Sequence, residues 1–411
     1  MDILDKYDGI AERHDQLLAK GADPFNVCMD RIVSATEAIV DGKPVILFGT
    51  NNYLGLTFDP DCIEAAADSI RSQGTGTTGS RIANGTYGSH KALEAEMAAF
   101  FEKDHTMIFP TGYQANLGAI AGVAGPRDLI FLDADSHSSI YDGCRLSGAD
   151  LVRFRHNDPA DLDRRLARAK DSSQQKVVVL ESIYSMFGDC APLADFIAVK
   201  EKHGATVILD EAHSVGVFGA KGQGLAYELG ILDKVDFIVG TFSKSLGAVG
   251  GFCASSHPGF ETLRFTARQY MFTASSSPSS VASVRCALAK MAAHPELRQR
   301  LWQNAKDIHD AFHAMGLQVC ADASPIIAVR LPDEITAVTM WNALLQNGVY
   351  VNLALPPGTP DKTCLLRCSV SAAHRPEQVE QICATFAAVI EQIGLPVKRP
   401  AGDPVDVAAL G

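Results

Sequence analysis

The chain of 411 residues is 47% hydrophobic and 20% charged, and its 36 basic against 48 acidic side chains leave a formal charge of −12. At roughly 150 residues per domain, that length supports two or three units with well-developed cores and excludes global disorder. An acidic chain without a basic run also lacks the Lys and Arg that displace counterions from nucleic acid, so nucleic acid is excluded as a main partner.

No apolar stretch approaches the roughly 18 residues that cross a bilayer. The start, Met1 to Gly9, is charged where a signal peptide is apolar, so the expected address is the cytoplasm. Ten scattered cysteines, with no C-x-x-C pair and no histidine at ligand spacing, read as buried free thiols, and no metal site is expected. In the first twenty residues Ile3, Tyr7, Ile10 and Leu17 fall near helical spacing among charged neighbours. This predicts an amphipathic helix whose role is a packing arm, with contact to the inner membrane surface as the alternative.

Val45–Phe48 then reads as a strand leading into a turn-rich segment. From Thr106 onward, short apolar or β-branched runs alternate with helical stretches: Thr106–Phe109, Leu129–Leu132, Leu151–Phe154, Lys176–Leu180, Thr206–Leu209, Phe237–Val239 and Gly251–Ala254. That alternation implies a largely parallel sheet covered on both faces. Polar residues follow four of these strands, at Asp133–His137, Glu181–Ser185, Asp210–Ser214 and Thr241–Ser245. Ligands of open α/β sheets bind outside the carboxyl ends of strands, so the four clusters are expected to converge on one site. A long helix over Ser280–Met315 is expected to lead into a smaller α+β unit, with strands at Ile326–Arg330, Val349–Leu353 and Leu365–Val370. The Pro/Gly/Ala-rich tail Pro400–Gly411 is expected to be disordered.

Two motifs mislead. Gly74-Thr75-Gly76-Thr77-Thr78-Gly79 matches G-x-G-x-x-G but follows a helical pattern instead of a strand, so a close-approach loop is expected, not a nucleotide site. Asp210-Glu211-Ala212-His213 spells a helicase box, yet the chain has no P-loop.

The strand ends carry groups whose chemistry belongs together. Lys244 follows an apolar strand where a casual ammonium is out of place, and a desolvated amine can form a Schiff base. Asp210 can pair with a cationic ring nitrogen, and His213 can reach a second atom of the same ring. Thr111-Gly112-Tyr113 opens a helix whose N-terminal N–H groups suit a phosphate, with Thr241 adding a hydroxyl. His137 can lay its imidazole over a flat ligand, and Ser185 ends a fourth strand. Together these groups fit pyridoxal phosphate, a cofactor that needs a lysine and an acidic ring partner.

Gly49-Thr50-Asn51-Asn52-Tyr53-Leu54-Gly55, Gly79-Ser80-Arg81, Asn84-Gly85-Thr86, Thr111-Gly112-Tyr113, Asp133-Ala134-Asp135-Ser136-His137, Tyr184-Ser185-Met186, Asp210 to Ser214, Gly240 to Ser245 and Leu366-Arg367-Cys368-Ser369 occur in order. In these the chain, from about Tyr7 to Gly394, resembles the α-oxoamine synthases, and within them most the soluble bacterial members that use serine. The resemblance implies an α/β fold of the fold type I pyridoxal phosphate transferases, with a mostly parallel seven-stranded sheet in the large domain and a smaller α+β C-terminal domain. It divides the chain into a helical arm (1–45), a cofactor domain (46–280), a small domain (281–399) and the tail (400–411). Lys244, His137 and Asp210 would be catalytic. Gly112, Tyr113, Ser185, His213, Thr241 and Thr273 would join them around the cofactor, Thr273 from the other subunit of a homodimer. Arg367, Asn52 and Tyr53 would meet the substrate, Arg367 as a bidentate partner for a carboxylate.

The implied reaction is a decarboxylative condensation of L-serine with palmitoyl-CoA or another long acyl thioester. Rivals within the resemblance are the glycine- and alanine-using members and a non-catalytic partner subunit. Ser185-Met186-Phe187-Gly188-Asp189, apolar where the glycine and alanine users commonly carry an acid, favours serine. Leu355, standing before Pro356-Pro357 where a serine-using member carries Arg, departs from the pattern. Arg264 and Arg268 are candidate cations for CoA.

Overall fold

A computed structural model of the chain describes residues 2–21, 23–169 and 174–397. The tail Pro400–Gly411 lies outside the described residues. The N-terminal helix forms over Asp8–Ala19, but of the four apolar positions only Leu17 is buried, while Ile3, Tyr7 and Ile10 stay exposed. Arg13 pairs with Glu334 at 2.6 Å, so an ion pair between partly exposed side chains holds this helix as well as its single apolar anchor.

The first 45 residues are more than a helical arm. They include an antiparallel meander of β1 (Arg31–Ser34), β2 (Glu37–Val40) and β3 (Lys43–Leu47). Two compact units divide the chain. One is Asn51–Ser185 with Asp189–Leu301, and the other takes the chain up to Thr50, Met186–Gly188 and the chain from Trp302 onward.

In the first unit the seven expected strands all form: β4 (His105–Phe109), β5 (Leu129–Asp133), β6 (Asp150–Phe154), β7 (Lys176–Glu181), β8 (Thr206–Asp210), β9 (Phe237–Thr241) and β10 (Gly251–Ser255). Their order across the sheet is β4-β10-β9-β8-β7-β5-β6. Pairing is parallel from β9 to β6, whereas β10 runs antiparallel to both β4 and β9. Val177 to Leu180 and Val207 to Leu209 are buried on both sheet faces, which is why they read as unbroken apolar runs. Each such side chain contributes about 1.5–3 kcal/mol when fully buried.

The expected helix Ser280–Met315 is two helices, Pro278–Ala293 and Pro295–Ala314. Pro295 offers no N–H and pushes His294 out of the α region, to φ −118° and ψ 73°. The first of the two packs on the helix Pro60–Gln73, where Lys290 reaches Asp59 and Asp61, each at 2.7 Å. The sheet-bearing unit runs to Leu301, whereas the cofactor domain was expected to end at 280.

The other unit contains β11 (Gln318–Val319), β12 (Ile326–Leu331), β13 (Val349–Tyr350), β14 (Asn352–Ala354) and β15 (Cys364–Ser369). The single strand expected at Val349–Leu353 splits: β13 pairs parallel with β3 and β14 antiparallel with β15. Trp341 Nε1 donates to the Val351 carbonyl at 2.9 Å, so the residue between the two strands spends its acceptor on an indole. Phe48, Phe312 and Phe386 meet edge-on or tilted in this core, beside His374. Burial pushes His374 down to about 4, and its Nδ1 accepts the Ser371 N–H, leaving Nε2 to donate to the Leu47 carbonyl. The ten cysteines are free thiols, but Cys28 and Cys190 are exposed where burial was expected. Among the described residues no helix is long and apolar enough to cross a membrane.

Candidate active site

The four polar clusters do converge. A cavity of about 270 Å³ opens at the strand ends, walled by Thr111, Gly112, Tyr113, Asn116, His137, Ser139, Glu181, Asp210, His213, Thr241, Ser243 and Lys244 among others.

Asp210 closes β8 and is 6% exposed. Its Oδ1 accepts the Ala212 N–H at 2.8 Å and its Oδ2 accepts Asn116 Nδ2 at 2.7 Å, so both oxygens are held for a bound cation. The rest of the D-E-A-H stretch divides its labour. Glu211 is fully buried, accepts the Leu225 and Ala226 N–H groups at the start of a short helix and is pushed up to about 7 by burial. His213 turns back toward the cavity, its Nδ1 2.7 Å from the Tyr53 hydroxyl.

His137 caps the helix Ser138–Ser147, where its Nδ1 accepts the Ser139 N–H at 3.2 Å and meets Ser139 Oγ at 2.7 Å. With Nδ1 accepting, the neutral ring carries its proton on Nε2. Burial pulls His137 below the ordinary histidine range; the Lys244 charge pulls the same way and Asp210 opposes both. The turn that presents it is braced by Asp133, which is fully buried and hydrogen-bonded to His156 and to the Asn157 N–H. His156 also reaches Asp189 at 2.8 Å.

The helix Gly112–Val123 begins at the cavity with Thr111 as its cap, Thr111 Oγ1 accepting the Gln114 N–H at 3.1 Å. A Cβ at Gly112 would lie 2.6 Å from Thr241 Cβ, so only glycine lets the helix start approach the end of β9. Lys244 sits in the loop 242–250 between β9 and β10, closed at its base where Thr241 Oγ1 and the Phe242 N–H both donate to the Gly250 carbonyl.

A pyridoxal phosphate fits this donor set: helix N–H groups and a threonine hydroxyl for the phosphate, a held carboxylate for the ring nitrogen, an imidazole for its face and an amine for its carbonyl. Of the site residues expected from sequence, Gly112, Tyr113, His137, Asp210, His213, Thr241 and Lys244 wall the cavity. Tyr53 stands behind His213. Ser185, Asn52 and Thr273 are not among the wall residues; Asn52 donates to Thr57 Oγ1 at 2.8 Å, and Thr273 Oγ1 accepts from Gln114 Nε2 at 3.4 Å. Arg367 is buried on β15 in the other unit, with its guanidinium 3.0 Å from Ser369 Oγ. Asn116 and Ser139 were not anticipated, and Glu181 was expected only as the start of a converging strand-end cluster, without a role of its own.

Arg264 does not offer a free cation. It is engaged by Glu261 at 2.7 Å, Glu94 at 3.2 Å, the Tyr270 hydroxyl and the Thr106 carbonyl. Arg268 lies over the Phe272 ring, 5.5 Å from its centroid. The glycine-rich segment is a close-approach loop as expected: a Cβ at Gly79 would collide with Asn84, and Ser275 Oγ ties the Gly79 and Gly85 carbonyls together.

The sequence profile of the family described as aminotransferase class I and II matches residues 43–386. A serine palmitoyltransferase of Caulobacter vibrioides is 52% identical over 401 residues, which cover 97% of this chain and 99% of that protein. A solved Sphingomonas wittichii serine palmitoyltransferase is 49% identical with a TM-score of 0.94, over 97% of this chain and 100% of that one. A high-resolution structure of a serine palmitoyltransferase with its PLP internal aldimine is 47% identical with a TM-score of 0.94, over 96% and 100%.

Proposed function

Because the chain belongs to the aminotransferase class I and II family, we propose that it acts as a pyridoxal phosphate-dependent serine palmitoyltransferase. It joins L-serine to palmitoyl-CoA and yields 3-ketodihydrosphingosine, CoA and carbon dioxide. The observation that carries this reading is the meeting of Lys244, Asp210, His137 and the Gly112 helix start in one cavity.

When bound, the cofactor supplies a carbonyl for a primary amine and a ring that stores the electron pair of an α-carbanion. Thr241 and the N–H groups of the Gly112 turn hold its phosphate, and Asp210 keeps its ring nitrogen protonated. Lys244 Nζ would be the amine that attaches to it and, as a free amine, would hold the serine α-proton. His137 Nε2 orients the substrate from the cavity wall, and Arg367 is assigned the serine carboxylate on the chemistry of its guanidinium fork. In the overall balance the serine α-carbon bonds to the thioester carbon, the C–S bond breaks to release CoA, and the carboxylate departs as carbon dioxide. The proton kept on Lys244 replaces it.

The working form is a cytoplasmic homodimer in which Thr273 completes the phosphate site of the partner subunit. Mass spectrometry of the product from L-serine and palmitoyl-CoA tests the reading, with Lys244→Ala as control. The sphingoid ketone is expected with the natural chain and absent with the variant; faster CoA release from glycine or alanine than from serine would overturn the substrate assignment.

A further inference from the structure

Glu181 ends β7 as the register partner of Asp210, so two carboxyls stand side by side at neighbouring strand ends, and both wall the cavity. Like charges that close cannot both ionise cheaply in a desolvated site, and the hydrogen bonds decide which one does. Asp210 receives a donor on each oxygen, from the Ala212 N–H and from Asn116. Glu181 is 2% exposed, and its Oε1 accepts the main-chain N–H of His137 at 2.5 Å. The charge of the pair therefore belongs on Asp210. Burial first, then Asp210 and more weakly Asp133, push the Glu181 carboxyl well above the ordinary range, against the His137 N–H and the Lys244 charge.

We propose that Glu181 is a positioning residue that works as a neutral carboxyl: one oxygen fixes the main chain of His137, and with it the imidazole at the cavity wall, while Asp210 alone carries the negative charge of the site. The inference rests on the cavity being the cofactor site and not on which amino acid or acyl donor enters it. An ionised Glu181 would add a second negative charge beside Lys244 and oppose entry of a substrate carboxylate, so neutrality serves both the amine and the substrate.

Glutamine keeps the acceptor oxygen and an N–H donor and has no charge to lose, so Glu181→Gln separates the two states. In infrared difference spectra of the holoenzyme at neutral pH, a protonated-carboxyl carbonyl band is expected in the natural protein and absent in Glu181→Gln; a difference confined to carboxylate bands overturns the proposal. The pH midpoint of the visible absorption is expected to stay within a few tenths of a unit in Glu181→Gln, whereas deletion of a buried charge at this range would move it by about one unit or more. Glu181→Ala is expected to lower kcat/KM by about 100-fold through loss of His137 placement, with Glu181→Gln recovering the greater part. Equal losses in the two variants, or no loss in alanine, overturn it. If alanine fails to fold, the two spectroscopic readouts on glutamine decide. Neither depends on the substrate, so their failure is distinct from failure of the serine reaction.

Discussion

Asn116 Nδ2 donates to Asp210 Oδ2 at 2.7 Å and to Ser139 Oγ at 3.0 Å, and Ser139 Oγ lies 2.7 Å from His137 Nδ1. One amide thus links the acid proposed for the ring nitrogen to the imidazole proposed for the ring face, through a single hydroxyl. A hydrogen bond to a charged group contributes about 1.5–3 kcal/mol, so Asn116→Ala is expected to weaken cofactor binding by about 10- to 100-fold. Titration of the apoprotein with pyridoxal phosphate, followed by visible absorption, checks this. Unchanged affinity would show that Asp210 holds its charge without the amide.

The contact between Gly112 and Thr241 gives a second expectation. A methyl group at position 112 must displace Thr241 Cβ, 2.6 Å from where the new carbon would stand. Overpacking of this kind costs about 1–3 kcal/mol, and here it falls on the proposed phosphate site. Gly112→Ala is expected to retain less cofactor on dialysis while keeping its circular dichroism. Full retention would remove Gly112 from the phosphate site.

His156 supplies a pH expectation. Burial disfavours its charge, but hydrogen bonds to Asp133 and Asp189 outweigh that and push it up to about 10. In the unfolded chain it titrates near 6.5. The folded value lies higher, so the stabilisation is fully present below about pH 6.5 and is lost as pH rises toward 10. Thermal unfolding of the natural protein between pH 7 and 9 is expected to show stability falling by at most about 1.4 kcal/mol per pH unit, with a flatter curve for His156→Gln. Parallel curves would show that the residue stays neutral.

Leu355 follows β14 and departs from the pattern expected of a serine-using member, for which the resemblance implies Arg before the two prolines. Leu355→Arg is expected to raise turnover with serine, read as CoA release at saturating palmitoyl-CoA. A fall in turnover would show that this chain promotes decarboxylation by other groups.

The parallel sheet was legible because strands buried on both faces must be apolar throughout, and the site was legible because polar residues after such runs have few structural uses. The meander β1–β2 was not, since Arg31–Ser34 is largely exposed and carries no core pattern. Asn116 did leave a signal: an amide flanked by Ala115 and Leu117 in Gly112–Val123, a helix of mostly small and apolar residues, has to find a partner when that side is buried. Glu181 was visible as a strand-end acid, but its pairing with Asp210 depends on which strands adjoin, which only the sheet order β8-β7 supplies. Arg264 misled for the opposite reason, because sequence shows a guanidinium and not the four groups that engage it.

The return strand β10 bears on how Lys244 could serve both roles proposed for it. Register pairs Gly251 with Thr241 on one side and with Phe109 on the other, and the Ser245 hydroxyl is moored to the Val215 carbonyl at 2.6 Å. The peptide carrying the lysine is therefore anchored before, beside and after it, and the swing proposed for it, from covalent anchor to proton carrier, would fall to four methylenes alone. Lengthening that span by one residue would leave the amine present yet aimed elsewhere.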